Sequence, residues 1–212
     1  MNIRTTGSAP QSTGRAGFWI DVAIGAALAV IMGVLLKTFV LAAVQVPTAS
    51  MRGTLLPGDF ILVNKLQRQT RIGDVVVVHP PACAVTGSAR GDVLFVKRCI
   101  ATGGDTVEFQ SQGIAVNQKN LILPGTAAFW LDPGRGFRND AGKRIVVPQG
   151  SLFLLGDNPS ESSDSRTWGC IPVEDVVGGA VAVYWSVAPS GPESLRSQQG
   201  GVRWGRIGTI IR

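Results

Sequence analysis

A serine hydroxyl acts as a nucleophile only when a base removes its proton and donors hold the oxyanion that forms on attack. Ser50 sits in Gln45-Val46-Pro47-Thr48-Ala49-Ser50-Met51. Pro47 fixes its own φ and pushes Val46 towards extended geometry, so Ser50 is presented on stiffened, non-helical backbone. No Gly-x-Ser-x-Gly elbow occurs, and the single histidine, His79, stands beside Pro80-Pro81 at a strand end. The other base available is a lysine, which works near neutral pH only if burial lowers its pKa from about 10.4. Lys97 directly follows Val93-Leu94-Phe95-Val96, so a strand carries it towards the core. Period-two alternation puts Phe95, Lys97 and Cys99 on one face, and Val96 and Arg98 on the other. The same pattern suits a charged gatekeeper on an edge strand, and the two readings stand side by side. A third stretch, Gly156-Asp157-Asn158-Pro159-Ser160-Glu161-Ser162-Ser163-Asp164-Ser165-Arg166, is rich in residues that bond neighbouring backbone. A hydroxyl in it is able to orient an amine, and Asp164 and Arg166 are able to pair; equally, the stretch reads as a decorated turn.

These residues need elements to position them. From Phe18 to Val44 the chain is apolar apart from Asp21, Lys37, Thr38 and small residues. A bilayer span needs about 20 such residues, whereas a cleaved secretory leader has an apolar run of about 7–15. Ala27-Leu28-Ala29 offers a leader-like small-x-small match, but the run continues well past it, so residues 18–44 are expected to be a retained transmembrane helix. Arg4 and Arg15 predict a cytoplasmic N-terminus, which leaves residue 45 onward outside the membrane. Residues 1–17 read as a disordered tail.

Beyond Ser50 the sequence predicts short strands at 60–63, 75–78, 94–97, 145–147, 152–155 and 180–185, divided by Gly, Pro and Asp turns. The fold class expected is mainly β: a transmembrane helix, then an antiparallel sheet or barrel-like domain over 45–212. The more polar, glycine-rich 105–147, containing Pro133-Gly134-Arg135-Gly136, reads as a smaller inserted subdomain or a long hairpin excursion. Residues 189–201 read as flexible, and 202–212 as a possible last strand.

The net charge of +6 is scattered, with Arg196, Arg203, Arg206 and Arg212 near the end, and forms no basic stripe with interleaved aromatics. Nucleic acid is therefore not an expected partner. Cys83, Cys99 and Cys170 form no Cys-x-x-Cys pair, and one histidine is too few for a clustered zinc site, so neither metal nor cofactor is expected.

Read in order, Val46-Pro47-Thr48-Ala49-Ser50-Met51, Leu56-Pro57-Gly58-Asp59-Phe60-Ile61-Leu62-Val63, Ile72-Gly73-Asp74-Val75-Val76-Val77-Val78, Phe95-Val96-Lys97-Arg98 and Gly156-Asp157-Asn158 with Ser162-Ser163-Asp164-Ser165-Arg166-Thr167-Trp168-Gly169 resemble the motif boxes of bacterial type I signal peptidases. That resemblance implies a membrane-anchored Ser-Lys serine endopeptidase acting outside the cytoplasmic membrane. Its partners would be the bilayer and the signal peptides of exported preproteins, cut after small-x-small motifs. It makes Ser50 the nucleophile, Lys97 the general base and Thr48 the side-chain oxyanion donor. Ser162 would orient the amine, while Asp157, Asp164 and Arg166 support the site. Val46, Pro47, Met51, Leu55, Ile61, Phe95 and Val96 would contact substrate. The chain departs from the family pattern with Thr48-Ala49-Ser50 where Ser-Gly-Ser is frequent, and with Ala101-Thr102-Gly103-Gly104-Asp105 in place of a Gly-x-Pro-Gly-Asp turn. A self-cleaving repressor of the SOS-response type would share the dyad, but the anchor and the lack of a helix-turn-helix argue against it.

Overall fold

The computed structural model describes residues 15–67, 69–84, 93–110, 113–123, 140–189 and 201–211. The chain divides into two compact units, Met1–Phe39 and Val40–Arg212. The expected tail falls almost wholly outside the described residues, as do Pro133–Gly136 and nearly all of the expected flexible segment.

The first unit is built on helix α1, Arg15–Leu35, which continues into a π-helical turn, Leu36–Val40. Its apolar side chains, among them Phe18, Ile24, Leu28 and Val30, are exposed all round. An evenly apolar surface of this kind suits a lipid environment. The candidate span Gly17–Val40 has 24 residues, a rise of about 36 Å against a hydrocarbon core of about 30 Å.

The expectation that the apolar segment runs as one span to Val44 needs correcting. Leu41–Gln45 is strand β1, and it pairs antiparallel with β2, Asp59–Asn64, from Leu41↔Asn64 to Gln45↔Phe60. Ala42 and Val44 face a buried cluster that Val46 completes, while Ala43 and Gln45 point outwards. This period of two is hidden in the sequence because nearly every residue of the run is apolar.

The second unit is mainly antiparallel β. A seven-stranded sheet has the order β1-β2-β11-β3-β4-β9-β10, and a four-stranded sheet the order β7-β6-β5-β8. The remaining strands are β3 Val75–Val78, β4 Phe95–Thr102, β5 Thr106–Gln110, β6 Gly113–Val116, β7 Lys119–Asn120, β8 Arg144–Val146, β9 Ser151–Leu155, β10 Ile171–Pro172 and β11 Val176–Ser186. Strand β3 is buried on both faces: Val75 and Val77 enter the cluster with Met51, Leu55 and Ile61, while Val76 and Val78 join Cys99, Leu152 and Leu154. That double burial explains its unbroken run of valines.

The segment 105–147 carries the four-stranded sheet, and its described residues share their core with the large sheet. Val107, Phe109, Ile114 and Val116 pack in one cluster with Ile100, Phe153 and Leu155 of the large sheet. Phe109 and Phe153 meet edge to face at 6.1 Å, a favoured aromatic geometry. The expected terminal strand is instead a 3₁₀ turn, Trp204–Arg206, with isolated bridges Ala182↔Ile210 and Val187↔Val202 holding the chain along β11.

Phe153 is fully enclosed where the two sheets share their core. Phe153→Ala is therefore expected to lower unfolding stability by about 3–5 kcal/mol in a urea titration, and a loss below about 1 kcal/mol would contradict a shared core.

Candidate active site

The chain between β1 and β2 forms a closed excursion. Val46 N–H donates to Asp59 O and Gly58 N–H to Val46 O, both at 2.8 Å, which seals its base. Within it, Ala49–Met51 makes a 3₁₀ turn with Thr48 at its N-cap, and Thr48 makes no side-chain capping bond. The first N–H groups of such a turn have no partner within it. The Ser50 and Thr48 hydroxyl oxygens lie 3.2 Å apart.

Lys97 reaches this turn from β4, whose register pairs it with Val76 in the middle of the sheet. The edge-strand reading is thereby excluded, since β4 lies between β3 and β9. Its Nζ stands 2.9 Å from Ser50 Oγ and 5.6 Å from the centre of the Phe95 ring. The side chain retains only 4% exposure. Burial lowers its pKa from 10.5 to about 8, against the opposing pull of Asp164; Arg166 lowers it further and Asp157 raises it. Charged, the amine donates to the serine; neutral, its lone pair accepts the serine proton. His79 is exposed at the end of β3, and its backbone N–H bonds Asp175 O.

The loop after β9 closes over the Ser50 turn. Asn158 N–H donates to Ser50 O at 3.0 Å, and its Nδ2 to Ala49 O at 3.2 Å. Gly156 allows that approach: a Cβ there would collide with Ser162 Oγ and lie 2.6 Å from Ser162 Cβ. Ser162 Oγ is enclosed and has no hydrogen-bond partner among the described residues, Lys97 included, so its expected bond to the lysine amine is not formed. Asp164 caps helix α2, Ser165–Trp168, and accepts from Gly156 N–H at 3.1 Å. Arg166 forks onto Asp164 at 2.8 and 3.0 Å and donates to Pro159 O and Ser162 O. The three supporting residues thus fall into two groups, because Asp157 pairs elsewhere.

Asp157 receives Arg98 Nε and Nη2, both at 2.7 Å, and both side chains are fully buried. Thr54 Oγ1 donates to Asp157 at 2.6 Å and accepts from Arg98 Nη2 at 2.8 Å. Neither Arg98 nor Thr54 is among the site residues expected from the sequence. The signal for Arg98 was a guanidinium inside an apolar strand, which must find an anion. Thr54 carried no comparable signal. Of the seven expected substrate contacts, Met51, Leu55 and Ile61 are fully enclosed and Val46 nearly so. Val96 keeps a little surface, Phe95 is half-buried and Pro47 is exposed.

The family profile described as signal peptidase, peptidase S26, matches residues 19–185. A probable signal peptidase I-1 of Synechocystis is 31% identical over 187 residues, spanning 86% of this chain and 84% of that protein. A signal peptidase I of Aquifex aeolicus is 32% identical over 214 residues, with 74% and 81% covered. A signal peptidase I of Leptolyngbya laminosa is 30% identical over 167 residues, with 76% of each covered.

The buried lysine carries a stability signature. Its folded pKa lies below its unfolded value, so the folded state binds fewer protons between about 8 and 10.5 and stability rises with pH across that window. Below about 8 the burial cost is present in full. Lys97→Met is expected to raise the urea midpoint at pH 7, with an advantage that shrinks as pH climbs towards 10.5. A midpoint lowered equally at every pH would contradict the desolvation account.

Proposed function

Because the chain belongs to the signal peptidase family, peptidase S26, we propose that it removes signal peptides from exported preproteins with Ser50 as nucleophile and Lys97 as general base. The observation that carries this reading is the 2.9 Å approach of an enclosed lysine amine to the Ser50 hydroxyl. Ser50 Oγ attacks the scissile carbonyl carbon while Lys97 Nζ takes the hydroxyl proton. The oxyanion accepts hydrogen bonds from Ser50 N–H and the Thr48 hydroxyl, which lies beside Ser50 Oγ. Collapse breaks the C–N bond, and the Lys97 ammonium gives its proton to the departing amine. Lys97 then takes a proton from a water that attacks the acyl ester, and as the ester C–O bond breaks the ammonium returns that proton to Ser50 Oγ, restoring both residues. Ser162 Oγ, enclosed and without a hydrogen-bond partner among the described residues, is assigned to receive an amine hydrogen as Lys97 turns between these partners. Asp164 and Arg166 hold its loop, and Asp157 holds Arg98 beside the base.

Substrate would lie against Pro47, Phe95 and Val96, over a floor of Val46, Met51, Leu55 and Ile61. A filled floor leaves shallow pockets, which favours small residues at the first and third positions before the cut. The apolar helix, long enough to cross a bilayer, would act as a single-pass anchor. Its N-terminus would be cytoplasmic, with Arg4 and Arg15 on that side, and residues 45–212 would form the extracytoplasmic catalytic region. Sharing one membrane raises the effective concentration of enzyme and substrate, so weak pocket binding suffices.

Incubating a purified preprotein with the full chain in detergent tests the reading. Ser50→Ala and Lys97→Ala are each expected to abolish cleavage while the protein still melts cooperatively; cleavage by either variant would overturn the assignment. Lys97 must be neutral to take a proton, so the wild-type rate is expected to fall as pH drops through about 8. A rate unchanged down to pH 5 would point to another base.

A further inference from the structure

The excursion that carries Ser50 is gripped at Thr54 by two arginine–carboxylate clusters from separate parts of the chain. One is the Arg98–Asp157 pair, which engages the Thr54 hydroxyl. The other centres on Asp59, fully buried where β2 begins. Asp59 accepts from Arg206 Nη2 at 2.6 Å and Nε at 3.0 and 3.1 Å, from Ser186 Oγ at 2.7 Å and from Leu56 N–H at 2.8 Å. Arg203 joins it, donating to Asp59 at 3.3 Å and to Pro57 O at 2.6 Å. Arg206 Nη2 also donates to Thr54 O at 2.9 Å. Thr54 is thus held through its hydroxyl by one cluster and through its carbonyl by the other. Its own N–H, with that of Leu55, bonds Met51 O, and Arg52 N–H bonds Ala49 O, so four backbone steps stiffened by hydrogen bonds separate the grip from Ser50.

We propose that Thr54 and Arg206 are positioning residues for the Ser50–Lys97 pair: between them they fix the turn that presents the nucleophile, and the C-terminal segment thereby becomes part of the catalytic apparatus. The proposal rests on the Ser50–Lys97 assignment. Loosening either grip lets the Ser50 hydroxyl drift from Lys97 Nζ and admits water beside the amine. A displacement of about 1 Å is enough to lower turnover on the order of 100-fold. Water beside the amine relieves the burial that holds its pKa down, and the acid limb of the rate profile moves to higher pH. Of the charged groups acting on Lys97, Asp164 and Arg166 are untouched by either substitution, whereas Thr54→Val takes one hydrogen bond from Asp157 and Arg206→Gln takes none.

The test measures kcat, KM and the pH–rate profile of the full chain in detergent on a purified preprotein, with a thermal melt for every variant. Arg206→Gln and Thr54→Val are expected to lower kcat on the order of 10- to 100-fold with KM nearly unchanged, and to shift the acid limb upward. Thr54→Ser, which keeps the hydroxyl, is expected to recover most of the loss. A lowered melting temperature with wild-type kcat per folded molecule and an unmoved limb would make the two residues merely structural and overturn the proposal. Thr54→Val is close to isosteric and supplies the answer if Arg206→Gln does not fold. Lys97→Ala runs alongside: cleavage surviving there removes the dyad itself, whereas a dead Lys97→Ala beside unaltered Thr54→Val and Arg206→Gln removes only the positioning roles.

Discussion

The structure turns on the cost of keeping an amine out of water. A lysine at the protein surface holds its proton through the whole physiological range and cannot accept another. Lys97 escapes this because β4 is an interior strand, paired with β3 at Lys97 itself and with β9 from Arg98 onward. Sheet order, the closed excursion bearing Ser50 and the loop laid over it all maintain that enclosure. Asp164 and Asp157 pull the amine back towards its charged form, but burial outweighs them. The balance leaves the amine's pKa at about 8.

The charged residues around Ser50 and Lys97 share one logic. Each of these buried carboxylates takes a guanidinium together with hydroxyl or backbone donors: Asp157 from Arg98 and Thr54, Asp164 from Arg166 and Gly156 N–H, and Asp59 from Arg203, Arg206, Ser186 and Leu56 N–H. Forked arginine contacts satisfy two acceptor atoms in one plane and so set angles as well as distances. An apolar core would hold the turns as firmly, yet it would supply no means of aiming three separate loops at one hydroxyl.

Much of this was legible in the residues, though unevenly. Strand β3 was read with its boundaries intact, because four consecutive valines between turns admit few alternatives. Lys97 was visible as a cation at the end of an apolar strand, but whether the strand was interior or edge depends on long-range pairing that no local pattern encodes. Strand β1 was misread for the opposite reason: in an unbroken apolar run, a period of two and a membrane helix look alike. Within 105–147 the strand expected at 145–147 is present as β8, whereas β5, β6 and β7 carry no such signal because their short apolar runs are diluted by polar turns. Arg203 and Arg206 looked like scattered surface charge. Their partner, Asp59, lies 147 residues from Arg206 in sequence, and nothing local to either announces the other.

The Arg98–Asp157 pair constrains how this sequence can drift. Removing one member strands a buried charge at a cost of about 3–5 kcal/mol, while joint replacement by fitted apolar residues is often neutral. Neither position is therefore free to vary alone. Descendants of this chain would keep both or exchange both together, and the historical record of one position should mirror that of the other. Thr54, bonded to each, would be drawn into the same covariation.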